Sequence, residues 1–96
     1  MDMKVVEIRF PSGNKTTKAF CDVRIDDITI RDFRVYQTNG KPSVKNPFST
    51  YKDQTGTLKF REIISLSPTV QVEVNALILG EYFRRLKEQN NGRESE

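Results

Sequence analysis

Few side chains in this chain are equipped for chemistry. It contains no histidine and one cysteine, Cys21. Without histidine it lacks the commonest general base and the commonest metal ligand. A single cysteine permits neither an internal disulfide nor a Cys-rich zinc site. Cys21 falls on the inward parity of a strand, where a lone cysteine acts as a small hydrophobe. Asp26 and Asp27 are adjacent at a turn, where a carboxylate bonds local backbone. The five glycines stand at 13, 40, 56, 80 and 92 and form no phosphate-cradling loop. The expectation is a non-catalytic protein that uses no cofactor, metal or small-molecule substrate.

What remains is charge and its placement. The net charge is +3, from 16 Lys and Arg against 13 Asp and Glu. The excess is concentrated. Residues 41–72 carry Lys41, Lys45, Lys52, Lys59 and Arg61 against Asp53 and Glu62, a local +3. Phe48, Tyr51 and Phe60 are interleaved with these cations. Basic groups neutralise phosphates and aromatic faces stack on unpaired bases, so the segment is a candidate surface for DNA or RNA. The competing reading is a solvated loop, with Phe60 in the core because it shares strand parity with Leu58. A second basic point is Arg84 and Arg85. They can serve a contact line for nucleic acid, or they can pair with Glu81 and Glu88 and complement the helix C-terminus.

The elements that position these groups follow from periodicity. Lys4 to Phe10 alternates, with Val6, Ile8 and Phe10 on one side. Pro11-Ser12-Gly13-Asn14 breaks the pattern. Lys18 to Ile25 alternates again, with Ala19, Cys21, Val23 and Ile25 inward, and Asp26-Asp27 turns it into a third strand, Ile28 to Tyr36. The inward parity slips near Arg31-Asp32, which predicts a β-bulge there. Asn39-Gly40 predicts a type I′ hairpin turn. Pro42 and Pro47 flank a short edge strand around Val44. Phe48 to Thr57 reads as a polar loop, and Leu58 to Ile64 as a fifth strand.

Ser67 as N-cap and Pro68 at the first helical position open a helix predicted to reach about Gln89. Val72, Ala76, Leu79, Phe83 and Leu86 form one apolar stripe, and Val70, Val74 and Leu77 form another on the opposite side. One stripe can pack on the sheet. The other needs a cover, and the expectation is a second copy of the chain meeting it at Val70, Val74 and Leu77. Residues 1–89 form a single domain on this reading, with 90–96 a polar, frayed tail. The longest apolar run, Ala76 to Leu79, falls far short of the ~20 residues of a membrane span. The expected setting is the cytoplasm, away from membranes.

Several of these residues also carry a resemblance. Ile30-Arg31-Asp32-Phe33-Arg34-Val35, then Gly40, Val44, Pro47 and Ser49, then Phe60-Arg61-Glu62-Ile63, and finally Leu79-Gly80-Glu81-Tyr82-Phe83-Arg84, resemble the stage V sporulation protein G family over about residues 28–86. That resemblance implies an α+β fold, an antiparallel meander of about five strands with one long C-terminal helix. It further implies a homodimeric bacterial regulator that binds DNA and RNA. Arg61 and Arg84 match the family's basic positions, and Lys52 matches in kind. Combined with the charge pattern, the candidate contacts are Lys45, Tyr51, Lys52, Lys59, Arg61, Arg84 and Arg85. The alternative is a protein–protein interaction module of the same fold, using its apolar helix face and edge strand.

Overall fold

The computed structural model describes residues 1–13 and 16–94, with side chains described through residue 89 apart from those gaps. The fold is α+β. Four antiparallel strands lie in the order β1 (Met3–Arg9), β2 (Thr17–Ile25), β3 (Ile28–Tyr36) and β4 (Ser43–Lys45). A separate two-stranded hairpin follows, β5 (Phe48–Lys52) and β6 (Leu58–Glu62), and then helix α1 (Pro68–Glu94). The polar loop expected at Phe48–Thr57 is therefore a strand in its first half, Phe48–Lys52, and a turn in its second. Its Ser and Thr residues suit an exposed ribbon, and its partner strand lies only a turn away.

The bulge expected near Arg31-Asp32 is present. Cys21 pairs with Phe33 and Val23 with Ile30, so β3 spends one extra residue against β2. Asp32 takes a φ of 68° to absorb it. A second bulge lies in β1, where Val5 pairs with Val23 and Glu7 with Asp22. It turns Val6 outward and puts Met3 and Val5 on the core side together with Ile8 and Phe10. The expected inward Val6 is corrected by that extra residue. The Asn39-Gly40 turn also differs. Tyr36 pairs with Ser43, which leaves a six-residue connection, and only Gly40 has positive φ, at 74°. A type I′ turn needs positive φ at both central positions. The Asp26-Asp27 corner is a two-residue turn between paired Ile25 and Ile28, with Asp26 at φ 53°. Asn14 and residues 95–96 lie outside the described residues.

The core is one layer of sheet against one helix. Ala19, Cys21, Val23, Phe33 and Val35 from the sheet meet Val74, Ile78 and Tyr82 from α1. Tyr82 stacks on Phe10 with ring centroids 6.1 Å apart. Ser67 caps the helix as expected, its hydroxyl accepting from Val70 N at 3.4 Å. The helix runs to Glu94, past the expected end near Gln89.

Helix phase is where the sequence expectation is overturned. Val74 is 0% exposed and packs on the sheet, so it belongs to the intrachain core and cannot meet a second copy. Val70 and Leu77 pack around the same core. Of the other stripe, Leu79 and Leu86 also pack against the core, and Val72, Ala76 and Phe83 face outward, with Val72 69% and Phe83 51% exposed. A polar lock at the helix start sets this phase. Asn46, just after β4, exchanges two hydrogen bonds with Gln71 at 2.7 and 2.9 Å, and Gln71 also donates to Asn75 at 2.9 Å. Gln71 and Asn75 sit beside Val74, so fixing them at the sheet edge turns Val74 inward.

Candidate nucleic-acid interface

The hairpin β5–β6 is the element on which the cationic segment converges. Its base is tied to the body. Ile63 N donates to Pro47 O at 3.1 Å and closes the ribbon at its base, while the tie to the body is the Arg34 guanidinium of β3, which lies 4.3 Å from the Phe48 ring and 5.1 Å from the Phe20 ring. Its tip is set by Asp53. One carboxylate oxygen of Asp53 accepts from Thr55 N at 2.9 Å, the Thr55 hydroxyl at 2.6 Å and Thr57 N at 3.0 Å. These bonds, the Thr55 hydroxyl foremost, hold the Asp53 carboxyl below its ordinary range. Gly56 completes the turn at φ 84°, a conformation that disfavours any residue with a Cβ.

Strand pairing sorts the side chains of the hairpin onto two faces. Ser49 lies opposite Arg61, and Tyr51 opposite Lys59. Because alternate residues share a face, Ser49, Tyr51, Lys59 and Arg61 stand together on one side. The Arg61 guanidinium lies 5.1 Å from the Tyr51 ring centroid, a cation–π contact across the diagonal. The other side carries Phe48, Thr50, Lys52, Leu58, Phe60 and Glu62. Lys52 is thus separated from Lys59 and Arg61 by the thickness of the ribbon. Lys45 belongs to the other sheet, opposite Arg34, with its Nζ 4.3 Å from the Tyr36 ring.

Phe60 is not a core residue. It is 65% exposed and meets Phe48 edge-on with centroids 5.5 Å apart. Strand parity correctly paired it with Leu58, but parity says nothing of which face is covered. Between this apolar face of the hairpin, β4 and the start of α1 lies an open cleft of about 620 Å³. Val44, Lys45, Asn46, Phe48, Phe60, Glu62, Gln71 and Asn75 line it.

The helix arginines are engaged locally. Arg84 pairs with Glu81 and, at 2.6 Å, with Glu88, while Arg85 pairs with Glu81 at 3.0 Å. Hydrogen bonds from Arg84 first, and then Arg85, hold the Glu81 carboxyl below its usual range. These i,i+3 and i,i+4 pairs neutralise the two cations in place.

A polar cluster escaped the sequence reading. On the sheet face opposite the helix, Asp22 is 1% exposed. It accepts from Arg9 at 2.9 and 3.1 Å, from Arg31 at 3.1 Å and from Asp32 N at 3.1 Å. Asp22 stands opposite the β3 bulge, so its carboxylate fills the gap that the extra residue opens. The bulge was legible in the phase slip; the carboxylate that satisfies it carried no local signal. Cys21 is buried beneath the helix, and burial pushes its thiol up to about 11, which keeps it protonated and inert. No helix among the described residues is long and apolar enough to cross a membrane.

Compared with known proteins, the chain matches no family model and no curated protein.

Proposed function

We propose that this chain is a non-catalytic nucleic-acid-binding protein that presents the β5–β6 hairpin to the phosphate backbone. The observation that carries this reading is the single face formed by Tyr51, Lys59 and Arg61 on a ribbon tied to the body only at its base. Two cations and an aromatic ring side by side suit a phosphate–base step: the cations meet phosphate charge, and the ring offers a stacking surface. A two-stranded ribbon also has the width that the major groove admits. Lys45, on the other sheet, and Lys52, on the other side of the ribbon, do not share this face and add only to the long-range attraction, whereas Arg84 and Arg85 contribute little because Glu81 and Glu88 neutralise them. The resemblance to the stage V sporulation protein G family supports the same reading and adds a regulatory role as a homodimer. We place the contact between copies at the outward stripe of Val72, Ala76 and Phe83.

A titration of labelled DNA and RNA at two salt concentrations tests this. Binding tightens as salt falls, and Lys59→Ala with Arg61→Ala lowers the slope of log K against log salt by about 0.7–0.9 for each phosphate no longer neutralised. Arg84→Ala with Arg85→Ala leaves the slope unchanged. Absence of binding at about 50 mM salt and high micromolar protein would overturn the reading.

A second reading has its own support. Leu58, Phe60 and Ile63 are all exposed on or beside the hairpin, as are Val72 and Phe83 on the helix. Such surfaces suit a protein partner. Under that reading the triple change of Lys52, Lys59 and Arg61 to Ala leaves partner capture intact.

A further inference from the structure

We infer that the cleft between the hairpin, β4 and the start of α1 receives a single unpaired nucleobase, so that the protein prefers single strands over duplex. This rests on the nucleic-acid reading above and assigns the cleft a part that the basic hairpin face does not play. The cleft lies on the other side of the ribbon from Lys59 and Arg61. Its charged lining residues are one cation, Lys45, and one anion, Glu62, so it offers no net charge to a phosphate. Its chemistry is that of a neutral, flat, polar-edged group.

Three features fit a base. The first is Phe60, whose ring is 65% exposed at the cleft wall and backed edge-on by Phe48. An exposed aromatic ring with a face open to the cleft is a stacking surface. The second is the amide row. Asn46 and Gln71 bond each other twice, and Gln71 Nε2 donates to Asn75 Oδ1. That row fixes the orientation of Asn75 by occupying its oxygen. Among the described residues its Nδ2 donates to no protein acceptor, which leaves a pre-oriented donor on the lining of the cleft. One such N–H can meet a ring nitrogen or carbonyl acceptor on a base edge. The third is size: about 620 Å³ lies inside the usual range for small-ligand sites and exceeds what one base needs. A base inside a duplex cannot enter, because its edge is paired and both faces are stacked.

The test combines side-chain amide NMR with binding to matched single-stranded and duplex oligonucleotides. Adding free nucleosides to the Lys59→Ala, Arg61→Ala protein isolates the cleft from the basic face. The expected result is movement of the Asn46, Gln71 and Asn75 amide resonances in that variant. In the otherwise unchanged chain, Phe60→Ala weakens single-strand binding about tenfold and leaves duplex affinity and the salt slope as they were. Equal affinity for duplex and single strand, insensitive to Phe60→Ala, overturns the inference while the nucleic-acid function stands. Amide resonances that ignore nucleosides but move with an aromatic peptide also overturn it, in favour of a protein ligand. No binding of any nucleic acid at low salt removes both this inference and the function on which it rests.

Discussion

Beside the bulge in β3, one carboxylate accepts four hydrogen bonds, two from Arg9, one from Arg31 and one from the backbone of Asp32. Hydrogen bonds to a charged group each contribute about 1.5–3 kcal/mol, and removing the acceptor leaves its donors poorly satisfied. Asp22→Asn is therefore expected to destabilise by about 2–3 kcal/mol, which for a domain of this size lowers Tm by roughly 10–20 °C. The same carboxylate predicts a pH dependence. The hydrogen bond from Arg9 lowers the Asp22 pKa below its ordinary 3.8, more than burial raises it. A depressed pKa means that the folded state releases the proton more readily than the unfolded chain. Its stabilisation is thus complete above about pH 4 and is lost as pH falls through the folded value. Thermal melts from pH 6 downward should show a fall below pH 4 that is shallower in Asp22→Asn. An identical acid limb in both proteins would assign the loss to other carboxylates.

The hairpin stands apart from the sheet, and a two-stranded ribbon is marginal when isolated. Its order depends on its anchors, Arg34 between two rings at the base and Asp53 at the tip. Asp53→Ala removes three hydrogen bonds from the turn while touching nothing in the core. The expected outcome is faster amide exchange across β5 and β6, weaker nucleic-acid binding and an unchanged global Tm. A matching loss of global stability would show that the hairpin is integral to the core. The helix start is the converse case. Ser67→Ala removes a cap worth about 1 kcal/mol, and because Gln71 and Asn75 follow directly, it loosens the amide row that borders the cleft. Exchange measurements at Val70 and Gln71 would register it, with binding through Lys59 and Arg61 preserved.

As a whole, the molecule is more extended than its length requires. Its radius of gyration is 15.2 Å, against about 12.5 Å for a compact chain of this size. Its extents of 54 × 35 × 22 Å reflect a single sheet–helix layer with a projecting ribbon and a long helix. So thin a body leaves one apolar helix stripe uncovered. If copies associate there, light scattering reports about twice the 11.1 kDa chain mass. Val72→Glu with Phe83→Glu then returns the monomer. Val72 is exposed in the single chain, so its change alone shifts stability by only about 0.5 kcal/mol, whereas Phe83, whose ring centroid lies 5.5 Å from that of Tyr82, costs more. A monomer at 100 µM in the unchanged protein would remove the dimer from the proposal.

Local patterns by themselves determined the first three strands, the bulge at Arg31-Asp32, the short edge strand around Val44 and the cap at Ser67. Each depends on side-chain alternation, proline chemistry or capping within a few residues, and those forces act along the chain. The sequence also placed Tyr51, Lys59 and Arg61 in one basic, aromatic segment. It could not sort that segment into faces, because the pairing of Tyr51 with Lys59 exists only once β5 is recognised as a strand. Tertiary structure alone decided which residues of two comparable helix stripes stayed outside. The stripes differ little in apolar character, so the choice fell to contacts distant in sequence: Asn46 on Gln71, and Phe10 on Tyr82. The same is true of Phe60 and Asp22. Strand parity grouped the ring with Leu58 and left Asp22 on the side away from Cys21 and Val23, but it could not say which side would be covered. The ring is exposed because the hairpin left the sheet, and the carboxylate is buried because Arg9 and Arg31 came to it across the strands.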